Sequence, residues 1–256
     1  MALIKDKGRM LLYDAKSVEG VNGARGKLFR ANELMEHFNT FTTLPAPWTL
    51  TEDGTPVSAA AYGAGLGGTA VLTTDDVAAK QESITGPLLW QADRQPTGVP
   101  LVFECKVQLG ATITSVELWC GFTDAVADTA PYALSSTSTF TTSVPTDAAL
   151  VGFSTTPTSG AAYTAGGNNH VAIATIADSN QVVATGRGAF AASTYYTYRV
   201  EIDSAGNVAF FVDHQFLGGA GLAITPTVPL CPIVTVIPRT TSERIATIDY
   251  IYVGGK

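Results

Sequence analysis

Fourteen short segments rich in Val, Ile, Thr, Tyr and Phe, each closed by turn residues, set the strongest limit on how this chain folds. They lie at 47–51, 57–62, 68–74, 83–90, 100–109, 115–123, 148–155, 170–177, 180–186, 194–203, 207–213, 222–225, 231–238 and 244–253. No run with helical periodicity separates them, which disfavours a parallel sheet flanked by helices and predicts an antiparallel sandwich or barrel. The 25 glycines and 13 prolines are spread along the chain, as many turns require. Residues 124–147 and 156–169, dominated by Ser, Thr, Ala, Pro and Gly, read as long loop insertions, where contacts are often made.

Alternation predicts which side chains face inward. Tyr196, Tyr198, Val200 and Ile202 share one face, the 203–207 segment turns, and Val208, Phe210 and Val212 return along that face. Leu101, Phe103, Cys105, Val107 and Leu109 alternate with polar residues, as do Val116, Leu118, Cys120 and Phe122 with Glu117 and Trp119. A hairpin folded about 112–113 would set Cys105 opposite Cys120, either as two buried thiols or as a disulfide. Cys231, in an apolar run, reads as a further core residue.

Charge is divided unevenly. Residues 1–30 carry seven basic side chains (Lys5, Lys7, Arg9, Lys16, Arg25, Lys27, Arg30) against Asp6, Asp14 and Glu19, a balance of +4. With −7 overall, the remainder carries −7 − 4 = −11. Residues 1–33 therefore read as an extended basic N-terminal arm, and 34–256 as the β-sandwich domain, entered through a helical turn or loop at 31–38. Aliphatic residues such as Leu11 and Leu12 sit among the charges. That mixture fits a strap laid on a protein partner, or a solvated or self-packed terminus, better than nucleic acid. The partner-contact residues expected on the arm are Lys5, Lys7, Arg9, Leu11, Leu12, Arg25, Lys27 and Arg30.

The search for chemistry is mostly negative. Gly63 to Gly68 matches a dinucleotide-binding glycine pattern, but a strand follows where a helix is needed. The three histidines lie far apart without neighbouring metal-spaced ligands, and no Gly-x-Ser-x-Gly elbow occurs. Asp75-Asp76 and Asp178-Ser179-Asn180 are the nearest acidic clusters to a calcium site, and solvated loop residues explain them. No apolar run reaches membrane-spanning length, and residues 1–7 lack a signal-peptide core, so cytoplasmic synthesis is expected. No cofactor and no metal are expected. Trp48 and Trp119 are the residues that a glycan would contact if exposed, although a tryptophan in a two-sheet core more often packs than serves as a sugar platform.

The chain resembles the concanavalin-A-like (laminin-G-like) jelly-roll superfamily over about residues 36–256. The resemblance rests on Leu101-Val102-Phe103-Glu104, Tyr198-Arg199-Val200-Glu201-Ile202-Asp203 with Gly206-Asn207, Val208-Ala209-Phe210-Phe211-Val212-Asp213, and the closing Asp249-Tyr250-Ile251-Tyr252-Val253. It implies an all-β, antiparallel jelly-roll sandwich in which the Val200-Glu201-Ile202-Asp203 and Phe210-Phe211-Val212-Asp213 strands form the central hairpin. Where the family usually has Gly after the second Asp, His214 stands, which tolerates positive φ. β-Glucan-cleaving members carry Glu-x-Asp-x-x-Glu. Here Glu201-Ile202-Asp203 is followed by Ser204-Ala205-Gly206, so the second Glu is missing and no enzyme is expected.

The arm and the absent active site also resemble tailed-bacteriophage virion proteins. That likeness implies a capsid decoration protein on the virion surface, bound to the capsid protein and to copies of itself. The alternative is a carbohydrate-binding, lectin-like or host-recognition module of the same fold, with surface glycans as partners.

Overall fold

A computed structural model of the chain describes residues 2–6, 9–13, 34–37, 47–52, 61–63, 69–78, 80–95, 98–125, 145–155, 169–176 and 179–255. Two antiparallel sheets face each other. The eight-stranded sheet contains β3 (Leu34–His37), β5 (Ala61–Gly63), β6 (Thr69–Thr73), β8 (Leu101–Leu109), β13 (Tyr196–Ile202), β14 (Val208–Val212), β15 (Gln215–Ala220) and β17 (Ile245–Gly255). The seven-stranded sheet contains β4 (Thr49–Glu52), β7 (Glu82–Thr85), β9 (Val116–Thr123), β10 (Ala148–Ser154), β11 (Asn169–Ile176), β12 (Ser179–Ala189) and β16 (Cys231–Pro238). β1 (Ala2–Asp6) and β2 (Arg9–Tyr13) form a separate two-stranded sheet, with Ala2 opposite Tyr13 and Asp6 opposite Arg9.

The strand orders are β15-β14-β13-β8-β17-β6-β5 and β12-β11-β10-β9-β16-β7-β4. β17 runs along β8 on one side and along two short strands on the other, β6 at Ile245–Ile248 and β3 at Tyr250–Val253. All these pairings are antiparallel, and the fold is the expected sandwich.

Three local features depart from the sequence reading. The segment expected as a helical turn or loop at 31–38 supplies β3, because its backbone completes the free edge of β17. Residues 222–225 form no strand, whereas Gln215–Ala220 does, pairing with β14 through Phe216 opposite Phe211. The start of the arm is a hairpin within 2–13, not an extended strand.

The hairpin expected between Cys105 and Cys120 does not form. β8 belongs to one sheet and β9 to the other, so residues 110–115 arch between layers. Both thiols still point inward, are fully buried and unpaired covalently, and meet across the sandwich. Burial pushes the Cys105 thiol well above its ordinary pKa, and its hydrogen bond with Cys120 pushes it further.

A bulge shapes β17. Its inward residues are Ala246 and Ile248, then Ile251 and Val253, so the parity changes at Asp249. The extra residue points out to Lys106, 2.7 Å away. The inter-sheet core holds Phe103, Phe122, Phe153, Tyr198, Val200, Phe210, Val234 and Ile251, all fully buried. Within it His170 Nδ1 lies 2.9 Å from the Tyr198 hydroxyl, among the rings of Phe190 and Tyr196. Burial lowers the His170 pKa to about 4, with Asp213 opposing weakly.

Candidate functional site

The outward faces of the two sheets differ in access. On the seven-stranded sheet, Trp119, Ala148, Leu150, Val171, Ile233 and Ile237 form a second buried apolar cluster, with Ala125 packed on it. Glu117 lies beside them, its side chain 1% exposed, and accepts from Arg239 Nε at 2.9 Å, Arg239 Nη2 at 2.8 Å and Trp119 Nε1 at 3.1 Å. Burial raises its pKa against the pull of Arg239. A raised carboxylate is a signature of catalytic acids as well as of structural ion pairs. Hydrogen bonds from Arg239, Trp119 and Ser154, together with loss of solvent, place this one with the ion pairs.

Trp48 and Trp119, the two residues expected to meet a glycan, are 5% and 0% exposed. Neither presents a ring face, because each packs into a layer of the sandwich. Of the arm residues, Lys5 lies on β1 and Arg9, Leu11 and Leu12 on β2. Lys7, Arg25, Lys27 and Arg30 fall outside the described residues, as does most of 124–147 and 156–169.

The eight-stranded sheet exposes a polar and aromatic belt that alternation placed outward. Glu104 on β8 stands opposite Arg199 on β13, and Arg199 opposite Phe211 on β14. Arg199 donates to Glu201 from Nε at 2.8 Å and also from Nη2, and to Glu104 from Nη1 at 3.3 Å. The Tyr250 hydroxyl donates to Glu104 at 2.8 Å. Burial and that hydrogen bond raise the Tyr250 pKa, so its proton stays in place at neutral pH. Lys106 pairs with Asp249 and lies 5.1 Å from the centre of the Tyr195 ring. Phe216, half exposed, meets Phe211 edge to face.

At one end the belt runs into a cleft of about 310 Å³, lined by Gly98, Val99, Pro100, Glu201, Asp203, Ser204, Asn207, Val208 and Ala209. It opens because Ala209, opposite Glu201 across the β13–β14 ladder, has only a methyl group to cover the backbone. Its far wall is the hairpin turn, which is fixed from inside and outside. Asp203 Oδ1 accepts from the backbone N–H groups of Ala205 and Asn207, both at 2.9 Å, and Oδ2 from Asn207 Nδ2 at 2.7 Å. Partial burial opposes ionisation of Asp203, but these hydrogen bonds outweigh it and lower its pKa. Asn207 Oδ1 accepts from Leu222 N at 2.9 Å, and the Gly206 backbone oxygen from Ala223 N and Ile224 N.

Gly206 is obligatory. Its φ is +83°, and a Cβ there would stand 2.0 Å from the Ile224 carbonyl oxygen. The next turn also behaves as the sequence predicts, with Asp213 and His214 both left-handed at φ 48° and 64°. Asp203 was legible as a turn former. The cleft was not, since it needs the 98–100 segment, which no local pattern brings to the hairpin. Among the described residues no group of three or more His, Cys, Asp or Glu is arranged to hold a metal, and no helix is long and apolar enough to cross a membrane.

No protein-family model and no curated protein matches the sequence. Solved structures do match the fold. The carbohydrate recognition domain of Emp47p aligns with a TM-score of 0.55 at 13% identity, over 88% of this chain and 96% of that one. The β-glucanase of Bacillus licheniformis aligns at 0.56 and 13%, over 88% and 99%. The exoplasmic/lumenal domain of VIP36, in a form bound to Ca²⁺ and mannose, aligns at 0.53 and 10%, over 88% and 89%. The chain therefore has a concanavalin-A-like jelly-roll sandwich, and its fold neighbours include lectin-like domains and a glycoside hydrolase.

Proposed function

We propose that the protein is a non-catalytic carbohydrate-binding module whose sugar site is the cleft at the β13–β14 turn together with the adjoining belt. The observation that carries this reading is the cleft itself: a preformed opening whose hydroxyl, amide and carboxylate groups are held rigid by a hydrogen-bonded turn. Sugar hydroxyls need such fixed acceptors and donors, and a rigid site loses little entropy on binding. The carbohydrate-recognition domains among the fold neighbours support the reading.

The same carboxylates argue against hydrolysis. Retaining glycosidases set two carboxyls about 5–5.5 Å apart across the bond, one of them free to carry a proton at working pH. Here Glu201 is clamped by Arg199, Asp203 is held ionised by its turn, and Glu117 is sealed on Arg239. The expectation of a capsid decoration protein draws nothing from these contacts or from the fold neighbours, whereas the carbohydrate-binding alternative does.

A glycan array probed with the intact chain tests the proposal. Specific binding that is lost in Ala209→Phe, with the variant's thermal unfolding unchanged, supports it. No binding across the array overturns it, and release of reducing ends from a β-glucan panel overturns the non-catalytic part.

A further inference from the structure

We infer that the cleft selects sugars without acid groups, neutral or amino-bearing, and rejects uronic and sialic acids. The inference rests on the carbohydrate-binding reading and adds the ligand class.

Hydrogen-bonding type and charge set what the cleft accepts. No Lys, Arg or His is among the described residues lining the cleft. Its two ionisable side chains, Glu201 and Asp203, are carboxylates, which only accept hydrogen bonds when ionised. The lowered pKa of Asp203 keeps it ionised into mildly acidic solution. Arg199, the guanidinium nearest in the belt, is divided between Glu201 and Glu104, so three carboxylates, with Asp203, stand against one cation. Lys106 is taken by Asp249.

Hydroxyl and ammonium groups donate, and they meet acceptors. A sugar carboxylate is itself acceptor-only, and it would meet two fixed carboxylates, the neighbouring cation Arg199 being already engaged by Glu201 and Glu104. The side-chain donors among the described lining residues are the Ser204 hydroxyl and the second amide hydrogen of Asn207, whose first goes to Asp203. Both are neutral and cannot offset a like-charge approach in a partly desolvated cleft. The field of the whole body acts in the same direction, since residues 31–256 carry −11.

The test is a titration of the intact chain with three sets of oligosaccharides: neutral hexose oligomers, glucosamine oligomers with free amines, and oligouronates with sialylated glycans. The expected ranking at low salt is amino at or above neutral, with the acidic set at least about tenfold weaker. Added salt should weaken the amino set and narrow that gap. Ser204→Arg places a cation on an exposed turn position without touching the Asp203 hydrogen bonds, and should tighten the acidic set by about tenfold.

Acidic sugars binding as well as neutral ones would overturn the inference and leave the carbohydrate-binding reading standing. Binding to none of the three sets would overturn both. Discrimination that persists unchanged in Ser204→Arg would place the selectivity elsewhere and overturn the assignment to this cleft.

Discussion

On the seven-stranded sheet the outward residues of β9, β10 and β16 are as buried as the inward ones, whereas on the eight-stranded sheet burial alternates from Phe103 along β8, from Thr197 along β13 and throughout β14. The first sheet uses its outer face for stability. It carries Trp119, Leu150 and Ile237 and the desolvated Glu117–Arg239 ion pair, whose breaking leaves a charge without solvent or partner. The second leaves its outer face partly open to solvent, and its charges are shared, 16–26% exposed at their side chains and set beside a cleft. Two sheets of one sandwich thus divide the work: one holds the molecule together from both sides, and the other is free to evolve contacts.

The largest effect should come from the sealed face. Trp119→Ala should cost about 3–5 kcal/mol in urea unfolding, through lost burial and the cavity left behind. A cost under about 1 kcal/mol would show that this face is not a second core. Glu117→Ala should cost a similar amount, because Arg239 would keep its charge in a site built for an ion pair.

Between the two faces, His170 supplies a pH-dependent term. Its folded pKa of about 4 lies below the unfolded value of about 6.5, so between those limits the unfolded chain binds a proton that the folded chain refuses. Stability should therefore fall as pH drops from about 6.5 to 4, by about 3 kcal/mol in all. In His170→Phe that part of the acid loss should vanish from the pH dependence of the unfolding free energy. An unchanged acid slope would mean that the ring is protonated in the fold.

The open face should give the small effects on stability. Arg199→Ala should cost only about 1 kcal/mol, since Glu104 and Glu201 regain water, yet it should weaken glycan binding measurably by titration calorimetry. A loss as large as that of Trp119→Ala would erase the contrast between the faces. Lys106→Ala, at a pair with side chains 39% and 30% exposed, should cost under about 0.5 kcal/mol, and less in high salt.

Much of this was legible in the order of residues. Alternation identified β8, β13, β14 and their inward residues, and a capping carboxylate identified the 203–207 turn, because both depend on contacts within a few residues along the chain. Two things were not. Alternation separates two faces without saying which one is covered, so Trp119 reads either as exposed or as part of a second layer until the sheet is assembled and its outer face is found buried. Spacing predicts a turn after Leu109 without saying whether the chain returns in the same sheet or crosses to the other, and here it crosses. The cleft belongs with these. Its hairpin is local, but its second wall, Gly98 to Pro100, comes from about a hundred residues earlier, and only the packed layers bring the two together. The strands and their turns were thus written locally, while the covered face, the arch and the site depend on contacts between distant segments, which no short-range pattern encodes.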